Sequence, residues 1–389
     1  MSRVQSSRSS VAVALLTLLV SFGFGRTVTA QKYTFEEVAS GLKHQDFATR
    51  VRAIQILKDA DYPEAAVPIA AALEDPDDRV QLAAIDAERS LFTTRPVSRR
   101  QKIGFVIEKR TVSGGAVVEG QLALKARHIP TQVLSGLAVA LRDDSLRVRA
   151  EAVSLTSLLT PYACAENNEM CGHIGNALID NVNARNALLR RAAMQALGHV
   201  RYPNSVQALL DQFSYYQTGP DAVAALEGLA GIGHPASVSV FRQVLRSSNA
   251  DLRRLAVEGL ARTGDRDVLT ELQQLGQTER SAGVLLAVHY AGIRLGAPGN
   301  SLQQLVVGLS NAAQRPLALK YLLDLAPSMA ATLVASLRDQ SPDVRRLMTD
   351  VIGFSRDAGV IPALEAAAKD ADPDVALVAQ RAIDRIKLQ

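Results

Sequence analysis

The chain has 389 residues, of which 48% are hydrophobic and only 4% are aromatic, with no tryptophan. Grooves that bind sugars usually rely on aromatic side chains, so the composition disfavours a sugar-binding role. The formal net charge is +4, but residues 1–30 carry Arg3, Arg8 and Arg26 and no acid. Without them the 43 basic residues fall to 40 against 39 acids, and this balance gives no reason to expect nucleic-acid binding.

The first 30 residues are predicted to be a secretory signal peptide. Two arginines precede the apolar run Val11–Val20, and Val28-Thr29-Ala30 ends the segment with small residues at the spacing of a signal-peptidase site. We expect cleavage after Ala30 and export to the periplasm or the extracellular space. An uncleaved membrane anchor is the alternative. No later stretch is expected to span a membrane, so the mature chain is predicted to have no integral membrane segment.

Residues 34–92 are predicted to hold two helix pairs, whose second helices begin at Val51-Arg52 and at Arg79-Val80. An insertion follows at about residues 93–129. It holds eight basic and two acidic residues, which gives +6 on a chain that is otherwise slightly acidic. Its fold is left open between a β-hairpin and an irregular lid.

Insertions in repeat arrays often carry binding residues, so the insertion is a candidate site for an anionic partner. The candidate contact residues are Arg99, Arg100, Lys109 and Arg110. The alternative is a solvated loop that its charge keeps soluble.

The only two cysteines, Cys164 and Cys171, lie close together in a polar loop after Pro161. In an exported protein this spacing predicts a disulfide that cross-links the loop and adds about 2 kcal/mol of stability. A metal site would need His173 and a fourth ligand, and the cysteine spacing does not match common zinc sites.

The C-terminal half shows a repeat most clearly. Ser341-Pro342-Asp343-Val344 returns as Asp372-Pro373-Asp374-Val375, 31 residues later. Serine and aspartate cap helix starts, and proline is tolerated at the first helical position. An apolar residue at the same place in each second helix recurs, mostly at spacings near 30, at Val51, Val80, Val148, Leu189, Ala222, Leu252, Gly283, Leu317, Val344 and Val375. This period predicts a solenoid of stacked helix pairs.

Other recurring residues fit the same unit. Glycines are expected to close the second helices at Gly198, Gly231, Gly233, Gly264, Gly292 and Gly353. Arginines recur one or two residues past the apolar positions, at Arg52, Arg149, Arg191, Arg253, Arg254, Arg345 and Arg346. They could grip an anionic ligand, but pairing with acids at the caps of the adjoining turn is the simpler interpretation. Arg385 and Lys387 suit the C-terminus of a final helix that caps the stack.

These units resemble HEAT repeats, above all in DDSLRVRAEAV (143–153), ADLRRLAVEGLARTGD (250–265) and SPDVRRL (341–347). They are most similar to the short bacterial variety called phycobilisome-lyase-like repeats. The resemblance implies an all-α fold over residues 31–389. It would be a right-handed α-solenoid, a HEAT- or armadillo-like superhelix of about ten helix pairs, interrupted by the one irregular insertion.

The resemblance does not settle the chemistry. A HEAT-like enzyme, deoxyhypusine hydroxylase, binds iron through His-Glu pairs, but none of His44, His128, His173, His199, His234 and His289 is followed by glutamate here. His199 and His234 follow glycines and are expected to be turn residues. Asp324, Asp350 and Glu258 could line a groove, although solvation of an exposed face explains them equally well. We therefore expect no catalytic residues, no metal and no cofactor.

The favoured function is that of an exported, non-enzymatic scaffold. It would hold a protein partner in the cell envelope on the concave face of the solenoid, or through the basic insertion. The alternatives are a lyase-like or other enzyme on a HEAT scaffold and a purely structural envelope spacer.

Overall fold

The computed structural model describes residues 16–17, 32–94, 120–163, 168–297 and 302–388. The chain divides into two compact units, Met1–Leu91 and Phe92–Gln389. Both are built almost wholly of helices, as the sequence predicts. The candidate residues Arg99, Arg100, Lys109 and Arg110 and the predicted cleavage site lie outside the described residues.

The first unit contains two helix pairs, as expected for residues 34–92. A two-residue antiparallel ladder, β1 (Leu16–Thr17) with β2 (Lys32–Tyr33), precedes them. The first pair is α1 (Phe35–Gly41) and α2 (Phe47–Ala60). The second pair begins with a mixed run of 3-10 turns and α3 (Ala66–Ala70) and ends with α4 (Asp78–Phe92), whose last residue belongs to the second unit.

The second unit continues the same alternation. Its helices are α5 (Thr131–Ala140), α6 (Leu146–Ala163), α7 (Asn168–Ile179), α8 (Ala187–Val200), α9 (Val206–Tyr216), α10 (Gly219–Ile232), α11 (Val238–Val244), α12 (Ala250–Thr263), α13 (Leu269–Thr278), α14 (Ala282–Arg294), α15 (Gln303–Ser310), α16 (Arg315–Leu333), α17 (Pro342–Ile352), α18 (Ile361–Ala367) and α19 (Pro373–Lys387). The second helices pack side by side, α8 on α10, α10 on α12 and α12 on α14, and α17 packs on α19. We call α6, α8, α10, α12, α14, α16, α17 and α19 the second-helix row.

The helix starts follow the sequence signals. Ser341 accepts a hydrogen bond from Val344 N, and Asp372 accepts from Asp374 N and Val375 N. A proline occupies the next position of both helices, where its missing N–H costs little. The predicted apolar stripes are buried in both helices, at Val344, Leu347, Val351 and Ile352 and at Val375, Val378, Ala382 and Ile383. Local capping and the 3.6-residue period therefore determine these two helices.

The glycines have two functions rather than one. Gly233 and Gly264 close α10 and α12 with φ of 66° and 76°, as predicted for glycines that end helices. Gly198, Gly231 and Gly292 instead lie inside helices, and the expectation that they close them is wrong. A Cβ on Gly231 would lie 2.6 Å from Gly198 O, so glycine permits close contact between α8 and α10.

Helix α16 joins two repeats without an intervening loop. Its backbone leaves helical geometry at Met329, two residues after Pro327, so it contains the second helix of one pair and the first helix of the next. This accounts for the shortest predicted spacing, 27 residues between Leu317 and Val344. With α16 counted in both pairs, the described helices make ten pairs, as the sequence predicts.

The stretch Arg315–Arg338 also has the length and mean hydropathy of a membrane span. The expectation that no later stretch would reach that length and apolarity is therefore wrong by these two measures. The stretch is kinked, and its Lys320 and Asp324 form ion pairs with residues of other helices. Several of its apolar side chains, including Leu322, Leu325 and Ala326, are almost fully buried in the second unit.

Candidate functional site

One arginine recurs four residues after the N-cap of several second helices. These cap arginines are Arg50, Arg190, Arg253 and Arg345. Each donates from Nη1 to a carbonyl oxygen six residues earlier, for example Arg253 to Ser247 O at 2.8 Å and Arg345 to Asp339 O at 3.0 Å. Each therefore ties the turn before its helix to the helix itself.

The cap arginines also bind an acid that lies 25 to 31 residues further on. Arg253 binds both oxygens of Glu279, at 2.8 and 2.9 Å, and Arg345 binds both oxygens of Asp370, at 2.7 and 2.8 Å. Glu279 and Asp370 each accept a backbone N–H of the next turn as well. For Arg253 and Arg345 the structure thus shows the predicted pairing with acids of the adjoining turn. The other two cap arginines differ from the predicted residues: Arg50 lies two residues before Arg52, and Arg190 lies one residue before Arg191.

A second charged group lies within the second-helix row and has no repeated counterpart in the part of the chain that the structure describes. The carboxylate of Glu258, in α12, is completely buried. It accepts from Arg254, from Tyr321 Oη at 2.8 Å and from Lys320 Nζ at 2.8 Å, and Arg262 Nη1 lies 3.5 Å away. Burial alone would raise the pKa of Glu258, but Lys320, Arg262 and Arg254 outweigh it and lower the pKa to about 2.

Asp324, one turn after Lys320 on α16, is the second buried carboxylate of this group. Its Oδ1 accepts from Arg201, and its Oδ2 accepts from the Tyr290 hydroxyl. Arg262 Nε and Arg294 Nη1 lie 3.3 and 3.4 Å from Oδ2. Burial opposes ionisation, but Arg262, Arg201 and Arg294 hold the pKa of Asp324 well below its usual range. Both carboxylates are therefore ionised at neutral pH.

Two stacked tyrosines join these carboxylates. The rings of Tyr290 and Tyr321 lie 4.5 Å apart with an interplanar angle of 16°. Burial raises the pKa of both hydroxyls, so each stays protonated and donates to its carboxylate. We call Arg201, Arg254, Glu258, Arg262, Tyr290, Arg294, Lys320, Tyr321 and Asp324 the central charge cluster. The predicted solvation of Glu258 and Asp324 on an exposed face is wrong, since both are buried and ion-paired.

A groove of about 560 Å³ lies beside this cluster on the same row. One wall is the α8 stripe Leu188, Arg191, Ala192 and Gln195, and the other is Gly219, Pro220, Val223 and Ala224 of α10, with Asn249 at one end. Leu188 is 73% exposed. Gln195 donates to Glu227 at 2.8 Å, and Glu227 lies 3.9 Å from Lys320 of the cluster. The groove and the central charge cluster thus border one another.

Residues 220–291, which include α12 and most of α10 and α14, match the family of HEAT repeats. The helix pairs and their side-by-side second helices agree with that match. The chain therefore contains HEAT repeats. No curated protein matches the sequence.

The solved structures that are similar to this chain include the following three, each at low identity. An engineered protein shares 16% identity with a TM-score of 0.40, covering 91% of this chain and 98% of its own. The complex of CpcE and CpcF of phycocyanin lyase from Nostoc sp. PCC7120 shares 17%, with a TM-score of 0.41 and coverage of 65% and 94%. Human deoxyhypusine hydroxylase in complex with glycerol shares 17%, with a TM-score of 0.31 and coverage of 67% and 97%.

The base of the insertion lies in the second unit. Thr93 and Leu124 form an isolated antiparallel bridge, with Thr94 N donating to Ala123 O and Lys125 N to Phe92 O, both at 2.8 Å. A 3-10 turn at Gly120–Ala123 leads into the bridge. Residues 95–119, with the candidate cations Arg99, Arg100, Lys109 and Arg110, lie outside the described residues, so their binding role stays a prediction.

The last helix, α19, is hydrogen-bonded to the base of the insertion. Arg385, on α19, is completely buried, lies 3.8 Å over the Phe354 ring and donates to Leu124 O at 2.9 Å. Asp350, the third acid named from the sequence, is buried too and pairs with Arg381 and with Arg385. Arg385 thus does more than complement a helix C-terminus.

The remaining predicted residues have mixed outcomes. Cys171 is buried in α7, but Cys164 lies outside the described residues and their disulfide stays a prediction. His234 caps a 3-10 turn and accepts from Ala236 N at 3.2 Å, as a turn residue would. His199 lies inside α8, so its expected turn position is wrong. Among the described residues no three His, Cys, Asp or Glu side chains are grouped to hold a metal ion.

Proposed function

We propose that this HEAT-repeat protein is an exported, non-enzymatic scaffold that binds a protein partner along its second-helix row. HEAT repeats supply long surfaces of stacked helices, and such surfaces commonly bind other proteins. The observation that carries the proposal is the groove between α8 and α10, with exposed Leu188 on its rim and charged groups beside it. Apolar contact area bordered by polar groups is the usual composition of a protein interface.

The state of Glu258 and Asp324 supports a structural role for these two acids over a catalytic one. A general acid or base works best with a pKa near the operating pH. The pKa values of Glu258 and Asp324 are instead lowered, away from neutral pH. Each carboxylate contacts three basic side chains and a tyrosine. These carboxylates therefore act as fixed structural charges that shape the surface above them.

Site-directed photo-crosslinking tests this function. A photoreactive residue replaces Leu188 or Val223 at the groove, or Gln207 or Gln274 on the first helices α9 and α13 as matched controls. After irradiation of the envelope fraction, we expect one discrete protein adduct from the groove positions and none from the controls. Adducts from the first helices alone would place the interface on the other side of the helix pairs. No adduct from any of the four folded variants would favour the spacer function.

The basic insertion is a second candidate site, favoured by its excess of eight basic over two acidic residues. The Thr93–Leu124 bridge offers a clean point for its removal. Replacing residues 95–119 with a short turn keeps both strands of the bridge. If the groove adduct is lost in this variant, the insertion takes part in binding. If the adduct persists, the second-helix row is sufficient.

Export has its own test. Cell fractionation is expected to place the chain in the periplasm or the medium, with Gln31 as the first residue of the mature protein. Alkylation of the cysteines without prior reduction is expected to leave Cys164 and Cys171 unlabelled. A protein retained in the membrane with Met1 still present would favour the uncleaved anchor.

A further inference from the structure

The central charge cluster is not electrically balanced. Five cationic side chains, Arg201, Arg254, Arg262, Arg294 and Lys320, face two buried carboxylates. Two border acids, Glu227 and Asp251, lie 3.9 Å from Lys320 and 3.8 Å from Arg254. Even with both included, the positive charges exceed the negative ones by one.

The cations that reach solvent are also the ones with donors left over. The Arg201, Lys320 and Arg294 side chains are 55%, 36% and 27% exposed. Within the described residues, Arg201 and Arg294 each donate to one protein oxygen, a carboxylate oxygen of Asp324 in both cases. A guanidinium carries five N–H donors, so most donors of these two side chains have no acceptor among the described residues.

The second helices α2 and α8 both end in a left-handed residue that is not glycine, Asp61 and Arg201 respectively. Arg201 ends α8 in the left-handed conformation, with φ of 55°. At the same place α10 and α12 use Gly233 and Gly264, for which this conformation carries no steric cost. In α8 an arginine takes this conformation despite its steric cost. Its guanidinium donates to Asp324, 123 residues further along the chain.

We propose that Arg201, Arg294 and Lys320 form a binding site for the carboxylates of an acidic protein segment. This inference rests on the proposed function and specifies the chemistry of its partner. Arg201 and Arg294 approach the two oxygens of the Asp324 carboxylate. Lys320 lies one turn before Asp324 on α16, pairs with Glu258 and borders Glu227 beside the groove.

Guanidinium groups bind carboxylates through paired hydrogen bonds. The basic side chains of this cluster already bind two carboxylates of the protein itself, those of Glu258 and Asp324. An acidic segment supplies several carboxylates along its length, and the adjacent groove between α8 and α10 offers space for its apolar residues. The expected partner therefore carries aspartate or glutamate next to small apolar side chains.

Fluorescence anisotropy with the purified full chain tests the site directly. The probe is a labelled decapeptide of alternating glutamate and alanine, compared with peptides in which glutamine or lysine replaces glutamate. We expect binding of the glutamate peptide alone, weaker at higher ionic strength because the contacted cations are partly exposed. Arg201→Gly, which installs the residue used by α10 and α12, and Arg294→Gln should each weaken binding about tenfold.

Arg242→Gln is the matched control. Arg242 is a half-exposed arginine on α11 that pairs with Glu271 at 3.3 Å, so its loss changes the charge equally but on a first helix. Binding by this variant should equal that of the wild type. Far-UV circular dichroism and Tm establish that each variant is folded. If Arg201→Gly unfolds the chain, the peptide affinity of the folded Arg294→Gln variant alone tests the proposal.

Three outcomes would overturn the proposal. They are equal binding of the glutamate and glutamine peptides, unchanged affinity in folded Arg201→Gly and Arg294→Gln, and displacement of the peptide by inorganic phosphate at an equal concentration, which would assign the site to phosphate. A groove adduct in the photo-crosslinking experiment would remain in each case. Failure of the charge chemistry is thus separate from failure of the scaffold function.

Discussion

The cap arginines and the central charge cluster are both built from ion pairs between basic side chains and carboxylates, but they connect different parts of the chain. Arg253 and Arg345 each bind a turn within their own repeat and an acid 25 or 26 residues away. In the cluster, Arg201 reaches 123 residues along the chain, and Lys320 reaches back 62 residues to Glu258. The first arrangement joins neighbouring repeats and recurs. The second joins helices from distant repeats and occurs at one place among the described residues.

The recurring ion pairs stabilise the stacking of repeats, whereas the cluster gives one part of the second-helix row a distinct charge. A recurring bond adds a similar contribution wherever the repeat occurs, as nearest-neighbour coupling in a solenoid requires. A converging, buried cluster concentrates charge at one place on the row, where loss of one member leaves others unpaired. The following changes compare the two arrangements by experiment.

The largest effect is expected from Glu258→Gln. It leaves Arg254, Arg262 and Lys320 around a neutral group, and breaking a buried charge pair typically costs about 3–5 kcal/mol. The free energy of unfolding from urea titration measures it. Glu227→Gln, at the border of the cluster, should cost less than about 1 kcal/mol. Equal losses in the two variants would show that the cluster acts as ordinary surface pairs.

Acid should weaken the cluster in a defined pH range. The pKa of Glu258 is lowered to about 2 in the folded chain, so its stabilising contribution is present above its unfolded pKa, near 4.5. That contribution decreases as the pH falls through the range from 4.5 to 2. Unfolding free energies measured across this range should therefore decrease less steeply in Glu258→Gln than in the wild type. Parallel curves would contradict the low pKa of Glu258.

Gly231→Ala tests the close helix contact at the cluster end of α8 and α10. Its Cβ would meet the backbone of Gly198 at 2.6 to 2.8 Å, and overpacking of this kind costs about 1–3 kcal/mol. Gly172→Ala is the control, because a Cβ there has no neighbour within 4 Å and α7 should gain about 1 kcal/mol from alanine. Chemical denaturation distinguishes the two signs. Stabilisation by both substitutions would show that α8 and α10 can separate without cost.

A cap arginine should matter less than Glu258. Arg345→Gln removes the paired bonds to Asp370 and those to two carbonyl oxygens, and we expect a loss of about 1–2 kcal/mol. Hydrogen exchange should report the loss locally, in α17 and in the turn before α19. Increased exchange throughout the second unit would mean that a cap arginine stabilises more than its own junction.

The smallest effect is expected from Arg242→Gln on α11. Its partner Glu271 is exposed to a similar degree, and exposed pairs contribute about 0–1 kcal/mol. Tm by circular dichroism should be nearly unchanged. A loss as large as that of Arg345→Gln would remove the distinction between the cap arginines and ordinary surface pairs.

The sequence predicts what is local and what is repeated. Ser341 and Asp372 could be identified as caps, and Val344 and Val375 as buried positions, because each signal lies within one helical turn. Counting from the apolar residue suggested Arg52 and Arg191, whereas counting four residues from the N-cap, as at Asp46 and Asn186, finds Arg50 and Arg190.

The cluster could not be assembled in the same way. The sequence marks Glu258 and Asp324 only as acids that could line a groove, because their partners come from helices whose sequence separation follows no period. The one local signal was Arg201 at a position where the next two second helices carry glycine. Gly198 and Gly231 show the same limit, since only contact between helices distinguishes a packing glycine from one that ends a helix.

The bond from Arg385 to Leu124 O changes how the second unit should unfold. In an open array, the terminal repeat can detach while the others stay folded, because each repeat depends only on its neighbours. Here the final helix is bonded to Leu124, a residue of an isolated β-bridge 261 residues earlier. The entropy of closing so long a loop grows only with the logarithm of its length, so one buried guanidinium can offset much of that cost. Release of α19 then also frees the base of the insertion, and fraying at the C-terminus is thermodynamically coupled to a segment near the start of the unit.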